Sequence, residues 1–198
     1  MRSRVPVRFR ALAVIAVACA ALGIAAGCST GSDAVNQMNG SDNGFVSGAA
    51  ATKVYAANDR PKAPAVSGTL LDGSAYNLAS DRGHVVVLNF WGSWCAPCRV
   101  EAADIQSVHA ATQAQGVDFV GVNIRDEKDA ATAYEQAHGI TYPSINDPSG
   151  RVALQFRQVP PSDIPSTIVI DANGHIAAVH LGSVSADELT SMISAAKS

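Results

Sequence analysis

An α/β fold built on one mixed central sheet with helices on both faces is predicted by three features of the chain. The run Val85-Val86-Val87-Leu88-Asn89-Phe90-Trp91 is β-branched and aromatic without alternation, as a strand covered on both faces requires. It runs into an Ala-, Glu- and Gln-rich stretch, residues 97–115, with Ile105, Val108 and Thr112 at helical spacing. Thr167-Ile168-Val169-Ile170-Asp171, the turn Ala172-Asn173-Gly174 and an apolar run over 176–181 then read as an antiparallel pair. Strands joined through a helix lie parallel and strands joined by a hairpin lie antiparallel, so the sheet is mixed.

Taken in order, the elements begin with a hairpin at Asp72-Gly73, a favoured turn dipeptide flanked by Thr69-Leu70-Leu71 and residues 74–78. The strand over 85–91 follows, then the helix over 97–115, which Gly116 is placed to end. A second strand spans 117–124. A second helix spans 127–138, with Ala131, Tyr134 and Ala137 as its apolar side and Gly139 as its stop. A short strand is expected over 142–145 and a third helix over 150–158. After the Pro-rich stretch 160–165 come the two antiparallel strands and a last helix over 186–196.

With 198 residues, 47% hydrophobic and 16% charged, the chain has the composition of a globular domain rather than a disordered or polytopic membrane protein. Arg2, Arg4, Arg8 and Arg10 precede an apolar run over 11–27, the order of an export signal with its basic end retained inside. That run is shorter than the roughly 20 residues that span a bilayer, so cleavage is expected rather than a retained anchor. Ile24-Ala25-Ala26-Gly27-Cys28 resembles the lipobox of bacterial lipoproteins, with Ala25 where Leu is commonest; this implies lipidation of Cys28 and loss of Cys19 with the signal. Residues 29–48 are Ser, Gly, Asn and Asp with few apolar side chains, which predicts a flexible tether. The expected organisation is therefore a signal at 1–27, a lipidated tether at 28–62 and one folded domain at 63–198. Beyond residue 27 the chain carries ten basic and seventeen acidic side chains, a net charge of −7 that argues against nucleic acid as a partner.

The chemistry lies in Trp94-Cys95-Ala96-Pro97-Cys98. Two sulfurs separated by two residues at the mouth of a helix can close a small disulfide ring or stand open as a dithiol. Cys95, at the predicted N-terminus, faces unsatisfied backbone N–H groups and the positive end of the helix dipole, which favour thiolate and make it the expected nucleophile. Cys98, one turn deeper, is the expected resolving thiol.

The segment from Asn89-Phe90-Trp91-Gly92-Ser93-Trp94 through Cys95-Ala96-Pro97-Cys98-Arg99-Val100-Glu101, with Ile164-Pro165-Ser166-Thr167, resembles the TlpA/ResA-like (CcmG/DsbE-like) extracytoplasmic branch of the thioredoxin family. The resemblance covers roughly residues 63–198 and implies a thioredoxin fold with an N-terminal β-hairpin, the segment 127–145 being the branch's central helix-strand insertion. It implies that Pro165 is cis and faces the cysteines, and that Ile164 pairs with the substrate chain, with Trp94, Ala96 and Pro97 as further substrate-binding positions. It also implies that Glu101, three residues beyond Cys98, moves or tunes protons, since Asn89 stands where plain thioredoxin has a titrating acid. The implied activity is thiol-disulfide exchange on protein cysteines through a Cys95–Cys98 pair, with no other cofactor. Reduction of exported proteins, such as apocytochrome c during its maturation, is the expected direction, and disulfide formation by a DsbE-like oxidase is the alternative. A membrane electron carrier of the CcdA/DsbD kind, protein thiol and disulfide substrates, a lipid-anchored extracytoplasmic location and a monomeric state complete the expectation.

Other readings of the cysteines are weaker. A structural zinc takes four ligands, and His84, His109, His138, His175 and His180 have no ligand-like spacing to this pair; they are expected at the surface or in packing. Copper delivery on the same fold would resemble Cys-x-x-x-Cys with a distal His, and a peroxidase would need Pro and Thr ahead of a single Cys. A static disulfide here would cross-link almost no loop and stabilise little. A non-catalytic metal-carrying lipoprotein remains as a second class. Trp91 fits either a groove or the core, and residues 125–129, charged in both signs, fit a solvated corner.

Overall fold

In the computed structural model, residues 51–158 and 163–198 are described. The expected signal peptide, lipidation at Cys28 and the first part of the tether lie outside them. Eight strands are present among the described residues: β1 Ala51–Val54, β2 Ser67–Thr69, β3 Ala75–Asn77, β4 Val85–Trp91, β5 Val117–Ile124, β6 Ser144–Asp147, β7 Ser166–Ile170 and β8 Ile176–Leu181. Three α-helices accompany them, α1 Ala96–Thr112, α2 Lys128–His138 and α3 Ala186–Ala196. The main sheet has the order β1-β8-β7-β4-β5-β6, and β2 and β3 form the separate hairpin. β4, β5 and β6 run parallel, while β7, β8 and β1 are added antiparallel. This is the mixed sheet that the element order predicts.

The period-2 geometry of β4 sorts its side chains. Val86, Leu88 and Phe90 join a core with Val120, Val122, Ile168 and Ile170, covered by Ala63, Val66, Leu78, Ala153 and Phe156. Val85 and Val87 face the other way, into a core with Ile105 and Val108 of α1 and Leu189, Met192 and Ile193 of α3. Asn89 and Trp91 share the parity of Val85 and Val87, which puts an amide and an indole on the α-helical face. All three α-helices contribute to that side. The opposite face is covered by the hairpin and by short 3-10 turns at Leu78–Asp81 and Ala153–Gln155. Gly116 and Gly139 end their helical segments at φ 72° and 62°, the left-handed conformation that only glycine adopts without strain.

Three expectations are corrected. Residues 150–158 do not form a helix. The Asp147 carboxylate accepts the N–H groups of Arg151 and Val152 at 2.8 Å each, leaving one 3-10 turn, and Phe156 then turns extended to set its ring edge-on against Phe90. The strand expected over 142–145 begins instead at Ser144, because Pro143 has no N–H for the ladder; its carbonyl accepts from Gly121 N. The folded part also starts before Ala63. β1 pairs with β8 from Ala51↔Leu181 to Val54↔Ala178, Tyr55 N donates to Ala177 O, and Ile176 N donates to Pro61 O. Residues 51–62 thus line the outer edge of β8 rather than continuing the tether. Among the described residues no helix is long and apolar enough to cross a membrane.

Candidate active site

β4 delivers the chain to the rim of the sheet, Gly92 and Ser93 turn it, and Cys95 becomes the N-cap of α1. Its Sγ accepts the Cys98 N–H at 3.2 Å, and Pro in the first turn suits a position whose N–H has no helical partner. Cys95 and Cys98 are joined in a disulfide with Cα atoms 5.3 Å apart. Both are nearly buried in this state, 3% and 2% exposed, but their surroundings differ. Cys95 is flanked by the exposed residues Trp94, Ala96 and Pro97. Cys98 packs inward with Trp91, Ala102, Ala131 and Tyr134.

The buried stripe of α1 is Cys98, Glu101, Ala102, Ile105 and Val108, so helical spacing carries a carboxylic acid into the interior one turn beyond the inner cysteine. Glu101 is 2% exposed. Its Oε1 accepts from Asn89 Nδ2 at 2.8 Å and its Oε2 from Val184 N at 2.9 Å, while Asn89 Nδ2 also reaches Thr167 Oγ1 at 3.2 Å. Burial pushes the Glu101 carboxyl up to about 7, and the two hydrogen bonds only partly oppose it. Glu101, Cys98, Asn89, Trp91, Tyr134 and Tyr142 line one cavity of about 10 Å³, room for little more than a water molecule. An acid that ionises near neutrality therefore shares a small enclosed space with the inner sulfur.

Ile164-Pro165 is a cis peptide, and Ile164 packs against the cluster containing Cys95 and Cys98. A single loop after β8 ties the site together. Gly182 N donates to Pro165 O at 2.9 Å, Ser183 Oγ to Pro97 O at 3.1 Å, and Val184 N to Glu101. The structure thus gathers Cys95, Pro97, Cys98, Glu101, Ile164 and Pro165, and leaves Trp94 53% exposed at the rim. Trp91 is core: it stacks on Tyr134 with centroids 4.6 Å apart, and its indole N–H reaches Ser144 Oγ at 3.3 Å. Gly121 makes room for that indole, since a Cβ there would lie 2.6 Å from Trp91 Nε1.

Several contributors escaped sequence reasoning. Tyr134, read only as an apolar helix position, donates its hydroxyl to Cys98 O at 3.0 Å. The corner over 125–129 is not merely solvated. The Asp126 carboxylate accepts from Ser93 N at 2.6 Å, Ser93 Oγ at 2.8 Å and Asn123 Nδ2 at 2.9 Å, and Trp94 Nε1 donates to Arg125 O at 3.0 Å. Burial raises the Asp126 carboxyl, but these donors outweigh it and hold the group below the usual range. A charged loop offers no local sign of such a role. His84 is exposed beside Asp118, His109 packs on Phe119 and Tyr142, His138 stacks on Tyr134, and His175 lies near Asp171, whereas His180 is buried. Among the described residues no three His, Cys, Asp or Glu side chains converge on a metal-sized site.

The AhpC/TSA family model matches residues 60–179, which contain the cysteines, Glu101 and the cis proline. The chain belongs to the AhpC/TSA family. Within this thioredoxin-like family it is similar to the thiol-disulfide oxidoreductase ResA of Geobacillus kaustophilus, 30% identical over 121 residues that cover 61% of this chain and 68% of that one. Among solved structures it is similar to a secreted thiol-disulfide isomerase from Corynebacterium glutamicum, at a TM-score of 0.70 and 37% identity over 73% of this chain and 91% of the other. A DsbF homologue from Corynebacterium diphtheriae gives a TM-score of 0.69 and 38% identity over 78% and 99%. The ResA/DsbE-like classification and the thioredoxin-like fold expected from the motif hold. This member of the family is a thiol-disulfide oxidoreductase with Cys95 and Cys98 as its redox pair.

The buried acid yields a prediction of its own. Glu101 stays protonated in the folded state to about pH 7, whereas an unfolded Glu ionises near its ordinary value. The folded protein therefore holds more protons across this window, and stability falls as pH rises through it, by about 3 kcal/mol at most. Glu101→Gln removes that slope. Relative to the parent, the variant is expected to gain stability between about pH 5 and 8 and to lose the near-neutral ionisation in the pH–rate profile of exchange. Denaturant titrations and exchange rates across that range measure both; parallel curves for parent and variant would reduce Glu101 to a helix-start acid.

Proposed function

We propose that the protein reduces disulfides in exported proteins while tethered to the outer face of the cell membrane. Cys95 attacks the substrate disulfide, forming a mixed disulfide and releasing one substrate thiolate. Cys98, deprotonated toward Glu101, then attacks Cys95 Sγ, closes the intramolecular disulfide and releases the second substrate thiol. Two electrons pass to the substrate, and a membrane dithiol carrier of the CcdA/DsbD kind returns them. Trp94, Ala96, Pro97, Ile164 and Pro165 form the docking rim, no further cofactor is used, and the chain works as a monomer held by lipid on Cys28. Disulfides between apocytochrome c cysteines are the proposed substrates, by analogy with the ResA-like resemblance, and their free thiols are the product.

The direction rests on one observation, the buried Glu101 carboxyl sharing a cavity with Cys98. Once ionised, it disfavours a thiolate on the inner sulfur. Destabilising the dithiolate side favours the disulfide and makes the dithiol a better electron donor; strong oxidants of this fold work by the opposite device, a stabilised reduced form. The second reading, formation or isomerisation of disulfides, is favoured by the likeness to the secreted isomerase and the DsbF homologue. Equilibration with redox buffers separates the two. The expected potential lies nearer about −270 mV than about −120 mV, with the pair reduced in cells; a value near the oxidising end, with substrates gaining disulfides, would reverse the direction.

A further inference from the structure

We infer that His180 is a positioning residue of the redox site, the outer member of a buried polar row that crosses the sheet from β8 to Glu101 and holds the 182–184 loop over that acid. The inference rests on the oxidoreductase reading of the cysteines.

Strand register creates the row. Thr52 of β1 lies opposite His180 of β8, His180 opposite Thr167 of β7, and Thr167 opposite Asn89 of β4. Residues directly opposite in a sheet point to the same face, so these side chains stand side by side beneath α1 and the loop after β8. His180 is 1% exposed, and Asn89, Thr167 and Glu101 are also buried. Interior polar groups are costly unless their hydrogen bonds are met, and here the bonds form two linked sets. At one end Thr167 Oγ1 accepts from Asn89, which donates to Glu101. At the other, His180 Nδ1 lies 2.7 Å from Thr52 Oγ1 and Nε2 lies 3.1 Å from Ser183 O.

A carbonyl oxygen can only accept, so Nε2 donates to Ser183 O, while Nδ1 shares a hydrogen bond with the Thr52 hydroxyl, which can donate or accept. Both ring nitrogens are thereby used, and the imidazole is locked between the first described strand and the Ser183 carbonyl. Ser183 is flanked by Gly182 and Val184, whose N–H groups serve Pro165 and Glu101. Fixing the Ser183 carbonyl fixes the peptide plane that bears Val184 N–H. His180 thus acts on the acid through one backbone amide.

The charged and titratable groups around the unit are few. Tyr134 and Tyr142 face Glu101; burial, with the Glu101 charge second, pushes both phenols up and keeps them neutral. Cys98 lies beside Glu101 on its own helix. Glu188 of α3 senses His180 and is held by Ser185 in a capping box. None of these offers the Ser183 carbonyl a donor.

The test follows the Glu101 carboxyl by ¹³C NMR in the oxidised full chain, where exchange activity is not required. The midpoint is expected near 7 in the parent. His180→Leu frees the loop, weakens the Val184 N–H contact that favours the carboxylate, and should move the midpoint upward by about half a unit or more. His180→Gln, with one donor and one acceptor, should return it toward the parent. Thr52→Val, which removes only a hydroxyl on the edge strand, should move it the same way by less, and serves if His180→Leu does not fold. The pH–rate profile of exchange should shift with His180→Leu and lose that shift in a Glu101→Gln background. An unmoved midpoint in the folded variants, or a profile shift that survives Glu101→Gln, overturns the role. A parent whose midpoint responds to His180→Leu as expected but which exchanges no disulfides overturns the oxidoreductase reading, and with it the redox role, while leaving the coupling of His180 to Glu101 standing.

Discussion

Cys98→Ser accumulates mixed disulfides with its substrates through Cys95, while Cys95→Ser accumulates almost none. The asymmetry comes from the ends of one helical turn. Cys95 is the N-cap of α1, with the Cys98 N–H aimed at its sulfur and the helix dipole behind it, both of which favour the attacking thiolate. Cys98 lies inward, in a cavity shared with a carboxyl, where burial and negative charge both oppose ionisation. Without Cys98 the covalent complex has no intramolecular route to release, and multiple turnover is lost. Without Cys95 the remaining thiol is poorly placed and poorly ionised. Non-reducing electrophoresis of cells producing each variant reads the difference, and equal trapping by both would remove the assignment of attacker and resolver.

Arg60→Ala destabilises the domain by about 3–5 kcal/mol, the range for removing one partner of a buried ion pair, or roughly 10–20 °C in Tm. Arg60 belongs to the stretch that composition marks as tether, yet its side chain is only 7% exposed. It donates to Asp171 Oδ2 at 3.1 Å and to Ala195 O, near the end of α3, at 2.7 Å. It therefore clips the first segment of the domain to the β7–β8 turn and to the last helix. Alanine would leave Asp171 buried without its cation. At Asp171 burial raises the carboxyl, but the His175 N–H, the Arg60 guanidinium and the Asn173 N–H outweigh it and hold it below its ordinary value. Its contribution is thus complete above about pH 4, the unfolded value, and is lost as pH falls through the lower folded one. Thermal melts at neutral pH check the magnitude, and a variant melting with the parent would show the Arg60 bridge to contribute nothing to stability.

The sequence by itself determined the features whose causes are local. The unalternating strand over 85–91, the stripe that brings Cys98, Glu101, Ile105 and Val108 to one face of α1, the glycines that end helical segments, and the spacing of two sulfurs at a helix mouth all depend on neighbours within a turn or a pleat. Only the tertiary structure decided the rest. β1 is four residues with three exposed side chains, and what makes it a strand is β8, more than a hundred positions away. Residues 150–158 had helical spacing available, but the Asp147 carboxylate took their donors. Asp126 became the anchor of Ser93, and His180 the anchor of Ser183, through contacts that carry no periodicity. Even Glu101, placed inside by its own helix, acquires its near-neutral ionisation only because β4 and the loop after β8 close over it. Local propensity is written in short windows of sequence, whereas desolvation and hydrogen-bond partnership depend on what the fold brings near, and these set the chemistry of the site.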